Sequence, residues 1–276
     1  MALAGVVALT ACSSNGSTNA TGAGAGNSGE ASSSKATAQA PAASEQELLL
    51  TNEVPGVTFE EAIDKSIMDA AAAPLAKGTK IEPDSCAKLT DASTRINDLA
   101  GTFAQFKDQK IVAGVALSKQ TDIYGLYENA VAGCSDVKMT IDGTDAVRQI
   151  AEEQGLPPEA QGILDGMDLT STYQIHLEKW SPKVTTNPEK ITGEETSGTA
   201  TVTGVDAEVS TYRIMGVINK VLIIVTTTPF ADLTTTENGA IVGQSNTDIT
   251  PEAKEAAKQR AIEIFDAQAK KIQAAA

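Results

Sequence analysis

Val209-Ser-Thr-Tyr-Arg-Ile-Met-Gly-Val-Ile218, then Asn219-Lys220, then Val221-Leu-Ile-Ile-Val-Thr-Thr-Thr228 is the stretch on which the fold turns. Two β-rich runs are separated by two residues, the spacing of a tight hairpin. Asn tolerates the left-handed backbone of such a turn, and Lys follows it where Gly is commoner. Leu222-Ile223-Ile224-Val225 is apolar on both faces, which predicts a central strand covered on both sides. Upstream, Thr172–Trp180 alternates, with Tyr173, Ile175 and Leu177 on one face and Gln174, His176 and Glu178 on the other. Thr199–Val205 is a Thr/Val-rich strand candidate. Downstream, Phe230–Thr247 reads as a polar loop. A last helix follows, with Thr250 as cap, Pro251 at the first helical position, and a stripe of Ala257, Ala261, Ile264, Phe265 and Ile272. Asp266 and Lys270 are spaced as an i,i+4 ion pair.

The N-terminal half is more helical. Thr58 and Glu61 form a T-x-x-E capping box for a helix to Ala73, with Phe59, Ala62, Ile63, Ile67 and Ala70 on one face and Pro74 as its stop. Asp91–Phe106 is a second helix, with Ala92, Ile96, Leu99 and Phe103 inward. Ile111–Leu117 is a strand. Thr121 opens a helix carrying Ile123, Tyr124, Tyr127 and Val131 and closed by Gly133. Val137, Met139 and Ile141 alternate as a strand; Thr144–Gln154 and Pro158–Leu164 are helical. The expected class is α+β: an antiparallel sheet packed against several helices, with a C-terminal closing helix, in one domain over 45–276.

Composition narrows the function classes. The 276 residues carry a net charge of −15, so nucleic acid is disfavoured as a partner. There is 1 His, which leaves little for His-based catalysis or multi-His metal sites. No Gly-rich phosphate loop, dinucleotide fingerprint, H-E-x-x-H pair or EF-hand loop occurs. Ser135-Asp136-Val137-Lys138 matches S-x-x-K by letter but lies in a strand pattern, where the pair would not share a helix face. His176 reads as a solvated strand residue. The carboxylate pairs Glu152-Glu153 and Asp165/Asp168 fit a helix surface and a loop as well as a weak cation site. No cofactor and no metal are expected, and the chain reads as a non-enzyme.

Residues 1–11, MALAGVVALTA, form an apolar run too short for a bilayer, which needs about 20 residues. The tetrad Leu9-Thr10-Ala11-Cys12 resembles a bacterial lipobox. That resemblance implies cleavage before Cys12 and a diacylglyceryl group on its thiol, hence a lipid-anchored position on the extracytoplasmic face of the cell membrane. No Lys or Arg precedes the run, which reads as a late start or a trimmed leader. Ser13–Ser44 is Ser, Ala, Gly, Thr and Asn, broken only by Glu30, Lys35, Gln39 and Pro41. With nothing to bury, 12–44 is expected to act as a disordered tether with an end-to-end distance of roughly 30 Å. Export leaves Cys86 and Cys134 in an oxidising compartment, where a disulfide is the default; two buried free thiols are the alternative. A loop of this length would give about 4 kcal/mol by chain entropy. Two Cys and a distant His do not complete a zinc site.

With these elements placed, the chain resembles the lipoproteins of mycolic-acid-bearing actinobacteria and, more loosely, their kinase-sensor-like extracellular domains. The carrying features are Leu48-Leu49-Leu50-Thr51 at the domain's opening, Pro-x-x-Cys at Pro83–Cys86, a helix running into Cys134, the Tyr212–Thr228 hairpin and the Arg260–Ile272 helix. The second disulfide common in the sensor-like domains has no counterpart among the 3 Cys. The resemblance implies a non-catalytic envelope domain with a groove between sheet and helix. Trp180 is either a rim aromatic for a glycan or lipid or a strand-end residue at the core boundary. Leu222 and Ile224 on the strand, and Ala261, Ile264 and Phe265 on the last helix, either line a cavity suited to acyl chains or close a core. The leading expectation is a binding domain for an envelope lipid or glycolipid. The alternatives are a sensing or protein-interaction module of a membrane complex and, more remotely, an envelope hydrolase using His176.

Overall fold

The computed structural model describes residues 40–61, 78–97, 99–145, 148, 169–202, 205–230 and 249–276. The central hairpin forms as its spacing predicts. Strands β8 (Val205–Ile218) and β9 (Val221–Pro229) pair with Ile218 opposite Val221. The turn residues Asn219 and Lys220 both take left-handed backbone, φ 48° and 59°, as a two-residue hairpin of this twist demands. The Lys220 N–H donates to Glu189.

The remaining strands are β1 (Glu60–Glu61), β2 (Thr79–Glu82), β3 (Ala100–Phe106), β4 (Ile111–Ser118), β5 (Asp136–Asp142), β6 (Thr170–Trp180) and β7 (Lys190–Val202). Nine strands form one antiparallel sheet in the order β1-β3-β4-β9-β8-β7-β6-β5-β2. Four helices accompany it among the described residues: α1 (Glu45–Leu48), α2 (Lys88–Asn97), α3 (Asp122–Val131) and α4 (Pro251–Ala274). The chain leaves β4, crosses one face of the sheet as α3 and re-enters at β5, on the far side of β9, β8, β7 and β6.

Strand β9 is central and covered on both sides, as its doubly apolar sequence requires. Val221, Ile223 and Val225 join Tyr212, Ile214 and the α4 stripe on one face. Leu222 and Ile224 join Met215, Val217, α2 and α3 on the other. Helix α4 starts as its sequence says, with Thr250 accepting from the Ala253 N–H and Pro251 in the first turn. The Leu48-Leu49-Leu50 segment lies against α4, where Gln268 accepts from the Leu50 N–H and donates to the Leu48 carbonyl.

Three local expectations are corrected. The helix expected over Asp91–Phe106 divides: α2 ends at Asn97, and Ala100–Phe106 is strand β3, paired with β4 along its whole length. Leu99 and Phe103 are four apart, a spacing that fits the helical period and the strand period alike, and the long-range partner decides. The capping box at Thr58 and Glu61 is not made. Thr58 donates to the Asn52 side chain, and Glu60–Glu61 pairs with Phe103 and Thr102; the rest of that expected helix lies outside the described residues. A capping box does occur at Ser44 and Glu47, at the start of α1. The strand expected over Thr199–Val205 starts at Lys190, and Val205 belongs to β8. Its polar residues 194–198 hid the alternation. The expected helices over Thr144–Gln154 and Pro158–Leu164 and the loop over Phe230–Thr247 fall almost wholly outside the described residues.

Candidate functional site

Three neighbouring strands present charged residues in a row on the face that α3 covers. In register, Lys179 of β6 lies opposite Glu194 of β7, and Glu194 opposite Arg213 of β8. Helix α3 lays Tyr127 and Val131, one turn apart, onto the same face. Glu194 is 4% exposed and Tyr127 is equally buried. The Tyr127 hydroxyl donates to Glu194 Oε1 at 2.7 Å and accepts from Arg213 Nη1. Arg213 Nη1 also stands 3.5 Å from Glu194 Oε1.

Burial pushes the Tyr127 phenol far above its ordinary range, with the Arg213 charge opposing and the Glu194 charge adding. It therefore stays a neutral donor. Burial by itself would lower the Arg213 guanidinium; the Tyr127 and Glu194 oxygens outweigh it, and the net shift is upward. Arg213 is thus a permanent cation held against a carboxylate in a nearly dry setting.

Two atoms of this group stay unpartnered although buried: Glu194 Oε2 and Arg213 Nε. Each such atom costs about 1–3 kcal/mol unless water or a ligand satisfies it. Both residues line a small cleft whose other walls are Tyr127, Val131, Thr192 and Met215, with Glu128 and Lys179 completing the lining. The enclosed space is close to that of a single water molecule. Lys179 Nζ and Glu128 Oε1 form a half-exposed ion pair at 3.4 Å.

The cleft's helical wall is fixed covalently nearby. Cys86 and Cys134 are disulfide-bonded with Cα atoms 5.3 Å apart, so the turn Asp84–Cys86 is tied to the segment between α3 and β5. Both sulfurs are buried beside Val131 and Val137 in the same apolar cluster.

The residues expected to bind ligand are not brought to one place. Leu222 and Ile224 face α2 and α3, whereas Ala261, Ile264 and Phe265 face the opposite side of the sheet. Between α4 and the sheet the core is filled: Ala261, Ile264 and Phe265 are all 0% exposed. The Phe265 ring sits on Gly216, where a Cβ would come within 2.5 Å of Phe265 Cζ. Trp180 packs at the border of that core, lying flat on Gly193, with the Lys258 ammonium 4.8 Å from its ring centroid and Nε1 buried without a partner. Asp266, expected to pair with Lys270, instead accepts from the backbone and hydroxyl groups of both Thr185 and Thr186, which clamps the segment before β7 onto α4. Burial acts to raise the Asp266 carboxyl, but these four donors outweigh it and hold it below its ordinary value.

His176 lies on the exposed side of β6, its Nδ1 2.8 Å from Asp136, whose other oxygen accepts from Ser135. The hydroxyl and the imidazole are thus on different carboxylate oxygens, so no nucleophile–base pair is formed. Among the described residues no cluster of three or more His, Cys, Asp or Glu side chains could hold a metal, and no helix is long and apolar enough to cross a membrane. Cys12 and the pairs Glu152-Glu153 and Asp165/Asp168 lie outside the described residues. The buried charge group escaped the sequence reading, with one signal available. Arg213 alternates in phase with Met215 and Val217, which marks an ionic side chain at an inward position.

No protein-family model matches the chain, and no curated protein matches it. The X-ray structure of an uncharacterised protein from Mycobacterium smegmatis aligns with it at a TM-score of 0.37 and 16% identity, over 80% of this chain and 90% of that one.

Proposed function

We propose that the chain is a lipid-anchored, extracytoplasmic, non-catalytic binding domain of the cell envelope, and that it engages the polar head of an envelope glycolipid at the α3 cleft. The observation that carries the binding reading is the contrast between the two faces of the sheet. The aliphatic space under α4 is filled by the protein's own side chains, which leaves acyl chains no seat there; buried atoms without partners occur on both faces, Trp180 Nε1 and Ser210 Oγ on the α4 side, but among the described residues only the α3 face sets an unpartnered ionic donor and an unpartnered ionic acceptor, Arg213 and Glu194, in the lining of one cleft. The Cys86–Cys134 bond supports an oxidising compartment. The Leu9–Cys12 tetrad supports an anchor, and two acyl chains on one Cys suffice for stable attachment.

The anchor is tested by fractionation. Cys12→Ala should move the protein from the membrane fraction to the soluble fraction, and an unchanged distribution overturns the anchor. The ligand is tested by native mass spectrometry and lipid extraction of protein purified from membranes, which should recover a glycolipid. Recovery of one stoichiometric protein partner and no lipid would replace this reading with that of a sensing or interaction module of a membrane complex.

A further inference from the structure

We propose that the α3 cleft is built around one ligand hydroxyl, which donates to Glu194 Oε2 and accepts from Arg213 Nε, and that the ligand class is therefore a neutral sugar or polyol. The orphaned atoms are one acceptor and one donor on residues lining the same cleft. A species that fills both roles through a single small atom is a hydroxyl or a water. The enclosed space admits a group of that size.

Charge argues for neutrality. Two cations, Lys179 and Arg213, face two carboxylates, Glu128 and Glu194, in the lining. An anion would meet Glu194, and a cation would meet Arg213, each at a cost set by the low dielectric. A neutral hydroxyl meets neither penalty and gains two charge-assisted bonds. The rest of a polyol has polar neighbours toward the mouth, where Thr192 and the Glu128–Lys179 pair lie. That pair is half exposed and contributes little, so displacing it to admit a ring is inexpensive.

The proposal rests on the glycolipid reading only for the origin of the sugar, and the Cys12→Ala fractionation above fails or succeeds independently of it. The test is an NMR titration of the full chain carrying Cys12→Ala with glucose, mannose, myo-inositol and octyl glucoside. Sodium acetate and methylammonium chloride serve as charged controls. At least one polyol should give saturable shifts at Val131, Thr192 and Met215. Arg213→Lys keeps a cation beside Glu194 but removes the Nε donor, and should weaken binding about tenfold or more. Glu194→Gln should do the same, and reads the effect if the first variant does not fold. Lys80→Ala, exposed on edge strand β2 away from the cleft, should retain binding. Tighter binding of the glucoside than of glucose assigns the site to a lipid head, and equal binding assigns it to a free sugar. The proposal is overturned by absence of saturable shifts in both the parent and Lys80→Ala, by acetate or methylammonium binding as well as any polyol, or by undiminished binding in both the Arg213 and Glu194 variants.

Discussion

The two faces of the sheet are closed by different means. On the α4 face the contact is dry and aliphatic, with Ala257, Ala261 and Ala269 keeping the helix close and Phe265 resting on Gly216. On the α2/α3 face a shorter apolar cluster is reinforced by a disulfide and interrupted by Tyr127, Glu194 and Arg213. The first face is a scaffold whose buried groups are mostly apolar and whose two unpartnered polar atoms, Trp180 Nε1 and Ser210 Oγ, belong to uncharged side chains. The second retains a buried ionic group that an apolar replacement would render unnecessary for folding. Buried ion pairs are weak contributors to stability and are strongly destabilising only when halved. Their presence here is what the proposed binding function rests on.

The largest expected effects separate the faces. Phe265→Ala opens a cavity in the scaffold and should lower unfolding free energy by about 3–5 kcal/mol, read by chemical denaturation. Arg213→Ala leaves Glu194 buried without its cation, holding only the Tyr127 hydroxyl; a loss of about 3–5 kcal/mol is expected, and a loss below about 1 would show that water already reaches the pair. Next comes the covalent brace. Replacing both Cys86 and Cys134 by Ala should cost about 2–4 kcal/mol and loosen amide-exchange protection in α2 and α3 before α4. A uniform loss of protection over both faces would erase the distinction between them. Gln268→Ala strands the Leu48 carbonyl and the Leu50 N–H, and should cost about 1–3 kcal/mol while freeing the Leu48–Leu50 segment, as read by proteolysis at the N-terminal end.

The smallest effect is a pH dependence on the scaffold side. Burial acts to raise the Glu53 carboxyl, but Lys271, 2.6 Å away, and the N–H groups of Thr51 and of Glu53 itself outweigh it and hold it at about 2, against an ordinary 4.5. A carboxyl depressed on folding stabilises the protein above its unfolded-state value and loses that contribution as pH falls through the folded-state value. Stability should therefore decline as pH drops from about 4.5 toward 2, and Glu53→Gln should flatten that decline by about 1 kcal/mol or less, because the pair is partly exposed.

Much of the scaffold was legible because local and global preferences agree there. The doubly apolar β9, the Asn219-Lys220 turn and the Thr250-Pro251 helix start each carry their own signal, and each forms as read. The bonding of Cys86 to Cys134 followed from compartment reasoning rather than from geometry. Reading failed where one pattern served two structures, as with the fourfold spacing of Leu99 and Phe103. It failed again where polarity concealed a strand. Glu194 looks like a surface residue until its register partner is known to be Arg213, and without that pairing neither β7 nor the cleft can be found. The expected ligand residues were separated by the alternation of a strand: Leu222 and Ile224 share a β9 face that α4 never touches.

The central claim is that Glu194 and Arg213 are kept for binding and not for folding, and the double variant Glu194→Met/Arg213→Met tests it most directly. The account predicts a fold at least as stable as the parent by denaturation, because the buried charges and their orphaned atoms are removed together, with saturable polyol binding abolished in the same preparation. A folded double variant that binds polyols as the parent does, or one that cannot fold while Lys80→Ala folds normally, would contradict it.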